Sequence, residues 1–249
     1  MRKPFAGKEG IPMTHGKKSA ILLVAVLQAF IVLLGNAPAC GEVSLFIDAH
    51  TVRVHDPSLG RQSILNDFRT QGHRTHNYLA LVWSEDAAWV YDTRTHQWLS
   101  QGDFRTLLGS LSDEFALVWN DSEAAVFDAK KQEWIRSEIM PWTVKGAHLS
   151  RGMAALSGDD GFVVYDPVLK QWQYANDFQV QKAQVGDVLA AAWDEKDLVL
   201  YDLTVHQWVL REGIRAQACI LDKHRAIVYT ADKVLEYDAM THRWNEKNR

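Results

Sequence analysis

The chain has 249 residues, 47% of them hydrophobic, 23% charged and 10% aromatic. That is the composition of a folded globular protein and excludes a disordered, collagen-like or many-pass membrane chain. Twenty-seven lysines and arginines against 31 acids leave a net charge of −4, so no basic surplus argues for nucleic acid. Two cysteines exclude both a disulfide-dense scaffold and a cysteine-rich zinc site, and ten tryptophans are the unusual count.

In chain order the first element is a leader. Residues 1–19 are polar and basic, with Arg2, Lys3, Lys8, Lys17 and Lys18 against the single acid Glu9, and residues 20–35 carry no charge. Ala37-Pro38-Ala39 then places small residues where a signal peptidase reads. The apolar run is short of the roughly 20 residues a spanning helix needs. Residues 1–39 are therefore predicted to be a secretory signal, with Met13 as an alternative start and an uncleaved anchor as the rival. Cleavage after Ala39 places the domain outside the cytoplasm, secreted or periplasmic, with Cys40 as its first residue. Membrane attachment is then limited to the leader or a lipid on Cys40, although Ala37 and Pro38 depart from the usual lipoprotein pattern.

From there the sequence repeats. Asp92, Asp128, Asp166, Asp202 and Asp238 each follow a tyrosine or phenylalanine, at steps of 36 to 38 residues, and Trp98, Trp134, Trp172, Trp208 and Trp244 stand six residues after them. Asp56, behind His55, marks a degenerate first copy, with Gln62 in the tryptophan position. Each unit reads as short strands. Leu117-Val118-Trp119 and Ala124–Phe127 flank a polar turn, another strand starts at the tryptophan, and a fourth lies in the stretch after it. Apolar residues occupy both parities of runs such as Phe162–Tyr165, as expected for strands covered on both faces. Six all-β units of about 36 residues predict a six-bladed β-propeller of four-stranded blades over residues 40–249.

The Tyr-Asp-x5-Trp motif, as in Tyr165-Asp166 through Trp172, resembles the second half of a kelch repeat. The resemblance covers five of the six units and lacks the Gly-Gly doublet of kelch repeats. It implies blade architecture and inter-blade packing for the tryptophans. It implies no activity, because propellers host enzymes, lectins and scaffolds alike.

The repeat assigns most conspicuous residues to structure: the aspartates as turn formers, the tryptophans as packing. Trp83, Trp119 and Trp193 form a further column nine residues before the aspartate, with Ile47, Ser157 and Tyr229 in the other copies. Residues that break the repeat are the candidates for function. Trp89 and Trp142 stand outside both columns, Trp142 in a connection longer by two residues. Arg69, Arg105 and Arg215 stand thirteen residues after their aspartates, the first two in an identical Asp-Phe-Arg-Thr. They lead into the innermost strands, so they are expected either to ring one mouth of the channel and bind an anion or to pair with local aspartates. His96, His206 and His242 are expected on exposed turns, and His73 and His76 in a loop. No metal site, cofactor motif or catalytic constellation is found. Either a disulfide between Cys40 and Cys219 staples the seam between first and last blades, which would exclude a lipid on Cys40, or Cys219 is a free buried thiol. The reading is an exported, non-enzymatic propeller that binds a protein or an envelope component. A carbohydrate- or anion-binding module is the alternative, and a propeller-type hydrolase or lyase comes third.

Overall fold

Polar turns cut residues 42–248, which the computed structural model describes, into 23 strands. The predicted leader and Cys40 lie outside the described residues. Blade 1 holds β1 (Ser44–Ile47), β2 (Thr51–Asp56) and β3 (Arg61–Asn66). Blade 2 holds β4 (Gly72–His76), β5 (Leu79–Trp83), β6 (Ala88–Asp92) and β7 (Gln97–Gln101). Blade 3 holds β8 (Leu108–Leu111), β9 (Phe115–Trp119), β10 (Ala124–Asp128) and β11 (Glu133–Arg136), and blade 4 holds β12 (Val144–Leu149), β13 (Ala154–Gly158), β14 (Gly161–Asp166) and β15 (Gln171–Asn176). Blade 5 holds β16 (Lys182–Val185), β17 (Leu189–Trp193), β18 (Leu198–Asp202) and β19 (Gln207–Arg211), and blade 6 holds β20 (Ala218–Asp222), β21 (Arg225–Tyr229), β22 (Lys233–Asp238) and β23 (Arg243–Asn248).

Within each blade, strands consecutive in sequence pair antiparallel. The chain is an all-β, six-bladed propeller. Five sheets have the expected four strands, and blade 1 has three among the described residues. The first strands of blades 2 to 6 pack in succession, β4 on β8, β8 on β12, β12 on β16 and β16 on β20, which makes them the innermost. Among the described residues blade 1 shows no such strand, since β1 occupies the register of β5, the second strand of blade 2.

The repeat aspartate closes the turn after each third strand. Its Oδ1 accepts backbone N–H groups two and three residues on: Ser58 and Leu59 on Asp56, Lys130 and Lys131 on Asp128, Val168 and Leu169 on Asp166. The residue four positions on then adopts a left-handed backbone, at φ 58° for His96, 56° for His206 and 61° for Gly60. Such a residue ends a type I turn and feeds the returning strand.

The second carboxylate oxygen ties one blade to the next. Tyr91 donates to Asp56 Oδ2 at 2.9 Å, Tyr165 to Asp128 at 3.3 Å, Tyr201 to Asp166 at 2.6 Å and Tyr237 to Asp202 at 2.8 Å. Phe127 has no hydroxyl, and Gln132 Nε2 serves Asp92 instead at 2.7 Å. His96, His206 and His242 are not simply exposed turn residues. Each sets Nδ1 against the preceding blade's aspartate, at 2.7, 2.6 and 3.2 Å, while part of the ring stays in solvent. The tryptophans pack edge-on or tilted against the aromatic residue of the paired third strand, at 5.0 Å for Tyr201–Trp208 and 5.6 Å for Tyr165–Trp172.

Apolar clusters fill the spaces between successive blades. This is why β5, β13, β14, β17 and β18 are buried along their whole length without alternation. The two ends of the array differ. Phe46 is 50% exposed in the register where Val82 is 0% exposed. On blade 6, Glu236 and Asp238 stand only half-buried where Leu200 and Asp202 are fully buried. Asp238 accepts the Met240 N–H at 2.8 Å, and no side chain of another blade reaches it among the described residues.

These ties make the fold acid-sensitive. Burial of Asp56 would raise its pKa, but hydrogen bonds from Ser58, His96 and Tyr91 outweigh it and hold the carboxyl down to about 2. A folded pKa below the unfolded value stabilises the protein above about pH 4, and that contribution disappears as pH falls through about 2. Acid titration followed by near-UV circular dichroism at fixed temperature is expected to show this loss, on the order of 2 kcal/mol, between those limits. Asp166 is shifted in the same direction, by hydrogen bonds from Tyr201, His206 and the Leu169 and Val168 N–H groups that outweigh its burial.

Candidate functional site

Because successive strands run antiparallel, the connections after the second and fourth strands of each blade emerge on one edge of the propeller, here the upper edge. These are residues 48–50, 67–71, 84–87, 102–107, 120–123, 137–143, 159–160, 177–181, 194–197, 212–217 and 230–232. They hold sixteen aspartates and glutamates against four lysines and arginines, and none of the sixteen is buried. The connections on the opposite edge hold three acids and six lysines or arginines. The net negative charge of the chain is therefore concentrated on one edge.

The blade-to-blade connections explain how the arginines are presented. Asp67, Asp103, Asp177 and Gly213 take a left-handed backbone, with φ of 56°, 51°, 59° and 71°. The next residue, Phe68, Phe104, Phe178 or Ile214, is buried at 2–8% exposure. That plug leaves the following Arg69, Arg105, Gln179 and Arg215 facing solvent. Neither the full ring nor the local pairing expected of the arginines is seen. Arg69 and Arg105 line one cavity of about 740 Å³ with Glu85, Asp86 and Asp103. Arg215 lies apart, in a cavity of about 450 Å³ beside Asp194 and Glu195. Among the described residues none of the three arginines forms an ion pair within 4.0 Å.

The two aromatic candidates are not facial. Trp142 is only 6% exposed and lies in the core between blades 3 and 4. Its ring fills the space over Gly158 and Gly161, and Nε1 donates to Asn176 Oδ1 at 3.1 Å. The longer connection thus carries a packing residue inward, since Met140 in the same stretch is the buried plug that phenylalanine supplies elsewhere. Trp89 is half-buried and packs on Val52, Phe68 and Val82 between blades 1 and 2. His73 and His76 lie on strand β4 rather than in a loop, and three residues apart they point to opposite faces. Cys219 is buried within the cluster between blades 5 and 6 and forms no disulfide among the described residues, and burial pushes its pKa up to about 12. Its proposed partner Cys40 is outside the described residues.

One arrangement escaped sequence reasoning. His148, on the innermost strand of blade 4, sets Nε2 3.1 Å from Ser157 Oγ. Burial lowers the His148 pKa and favours the neutral imidazole. The pair lines a cavity of about 490 Å³ between blades 4 and 5. The available signal was Ser157 itself, the one small residue in a column of large side chains.

Fold and edge together define a charge-segregated β-propeller. No protein-family model matches the chain, and no curated protein sequence does. Among solved structures it is similar to Hsv2 of Kluyveromyces lactis at 9% identity and a TM-score of 0.41, covering 86% of this chain and 84% of that one. It is also similar to Sqt1 of Saccharomyces cerevisiae at 12% identity and a TM-score of 0.40, covering 82% and 69%. A chain of the mitotic checkpoint complex matches at 12% and 0.39, covering 82% and 73%. At these scores the likeness adds nothing to what the sheet topology establishes.

Proposed function

We propose that this chain is a non-enzymatic interaction module whose upper edge receives the basic surface of a partner protein or envelope component. The observation that carries the reading is the separation of charge, sixteen acids against four bases on one edge. The repeat already accounts for the other conspicuous side chains. An acidic surface of this extent raises the encounter rate with a cationic partner and makes binding salt-dependent. The Tyr-Asp-x5-Trp units are read as kelch-like, supported by tryptophan indoles that reach back to the preceding blade, Trp134 to the Leu99 carbonyl at 3.3 Å and Trp172 to that of Ile135 at 3.4 Å. An extracytoplasmic location rests on the basic, apolar and small-residue order of residues 1–39.

The test uses lysine-rich and glutamate-rich peptides against the immobilised protein. The lysine-rich peptide is expected to bind and to weaken at least about tenfold between ~0.05 M and ~0.5 M salt. Neutralising Glu85, Asp86, Asp159, Asp160 and Glu195 as amides should weaken it similarly without lowering the thermal midpoint, since all five are exposed. Equal retention of both peptides, or no retention, would sink the reading. An anion- or carbohydrate-binding role is favoured by one observation, the two arginines without ion pairs in the 740 Å³ cavity. A sulfated oligosaccharide that binds and is lost with Arg69→Gln and Arg105→Gln would support it.

A further inference from the structure

We infer that the cleft between blades 4 and 5 binds a small hydroxylated carboxylate, the chemical class of a sugar acid. The starting observation is a missing ring. Trp83, Trp119 and Trp193 end the second strands of blades 2, 3 and 5, and blade 4 has Ser157 there. Trp83 shows what the indole does. It lies over Gly72 of its own blade and Gly109 of the next, so that a Cβ would come within 2.1 Å of its ring at Gly72 and 2.9 Å at Gly109. In register the corresponding positions around Ser157 are Gly146, paired with it, and Ala183, paired with Ala192 as Gly109 is with Val118. Gly146 therefore leaves room on its own blade for a ring that the sequence does not supply, while the small Ala183 stands where the facing blade has Gly109. Gly146 and Ala183 both line the cavity of about 490 Å³, within the range of small-molecule sites.

The lining selects the ligand. Lys145 and Lys182 are among the residues that line the cavity, and no aspartate or glutamate is. The nearest acid to Lys145 is Asp159 at 4.0 Å, and Lys182 forms no ion pair among the described residues. On an edge that is otherwise acidic, this cleft has two cationic residues and no carboxylate in its wall among the described residues, whereas the arginine cavity carries Glu85, Asp86 and Asp103. A ligand carboxylate satisfies the lysines. Ser157 and His148, already hydrogen-bonded at 3.1 Å, together with Gln181 and Gln184 on the facing blade, offer paired donors and acceptors suited to hydroxyls. A neutral His148 can give or take such a bond.

The repeat itself supplies the decisive variant. Ser157→Trp restores the column residue and fills the cavity with the side chain that three other blades accommodate. Titration calorimetry on the full chain with glucuronate, glucose and inorganic phosphate is the measurement. Glucuronate is expected to bind saturably, glucose at least about tenfold more weakly, and phosphate no better than glucose. Ser157→Trp should abolish glucuronate binding while the thermal midpoint stays equal or rises. Lys182→Gln, at an exposed position, should weaken it at least about tenfold with the midpoint unchanged, and remains informative if the tryptophan variant misfolds. The proposal is overturned if glucuronate does not bind, if binding survives Ser157→Trp in a folded protein, or if glucose or phosphate binds as tightly. None of these outcomes bears on the docking of a basic partner.

Discussion

Replacing Asp166 with alanine is expected to lower stability by roughly 3–4 kcal/mol, whereas the same change at Asp238, its counterpart in the last repeat, should cost under about 1 kcal/mol. For a domain of this size the first value is a fall of about 6–16 °C in thermal midpoint. The two residues occupy one position in one motif and each closes its local turn, with the Val168 and Leu169 N–H groups on Asp166 and the Met240 N–H on Asp238. They differ in what reaches the second oxygen. Asp166 is fully buried and receives Tyr201 and His206 from blade 5, both at 2.6 Å. Alanine there leaves a buried phenol hydroxyl and an imidazole N–H without an acceptor. Asp238 stands half-exposed at the end of the array, where water replaces whatever the side chain gives up. Equal losses at the two positions would mean that the local turn, not the link between blades, carries the energy. Tyr201→Phe should reproduce part of the Asp166 loss and little further loss once Asp166 is gone, because the two share one hydrogen bond.

The same distinction explains what could be read from the sequence. Columns of aspartate and tryptophan are legible because a repeat places identical demands on identical positions, and those demands are local: a turn closed by one carboxylate, a ring packed on the paired strand. Partners one blade away are harder to read. The histidine four residues after Asp92, Asp202 and Asp238 was visible as a column, but that its Nδ1 meets the aspartate forty residues earlier follows only from the twist that superposes one blade on the next. The arginines illustrate the middle case. Their projection follows from the local Asp-Phe-Arg sequence, the phenylalanine buried and the arginine thrown outward, yet only Arg69 and Arg105 share a cavity. Ser157 was visible as an exception, and the cleft it opens became visible only with Gly146 and Ala183 in place. Blade 1 lies furthest from the consensus for a related reason. His55 and Gln62 stand where tyrosine and tryptophan would pack on a preceding blade, and the face that carries Arg53 is exposed.

Trp142 departs from the repeat and still serves packing, and its variants should show how much. Trp142→Ala is expected to cost about 3–5 kcal/mol, the usual penalty for emptying a buried aromatic site. Ligand binding on the upper edge should be unaffected, apart from any effect of the lost stability. The indole also defines why Gly158 and Gly161 are glycines. A Cβ at Gly161 would stand 1.9 Å from Trp142 Nε1, and one at Gly158 would stand 2.0 Å from its Cε3. Neither glycine has a positive φ, so the constraint is the ring and not the backbone. Gly161→Ala alone should therefore destabilise by about 1–3 kcal/mol through overpacking. In the Trp142→Ala background the added methyl enters vacated space and should cost nothing or recover a few tenths of a kcal/mol. Urea unfolding of the four proteins closes the cycle. Additive losses would locate the requirement for glycine in the hairpin at Asp159-Asp160 rather than in contact with the tryptophan. A coupling as large as the Gly161→Ala effect would show that the longer connection and the glycines of blade 4 function as one packing unit, with the insertion supplying the ring and the hairpin leaving room for it.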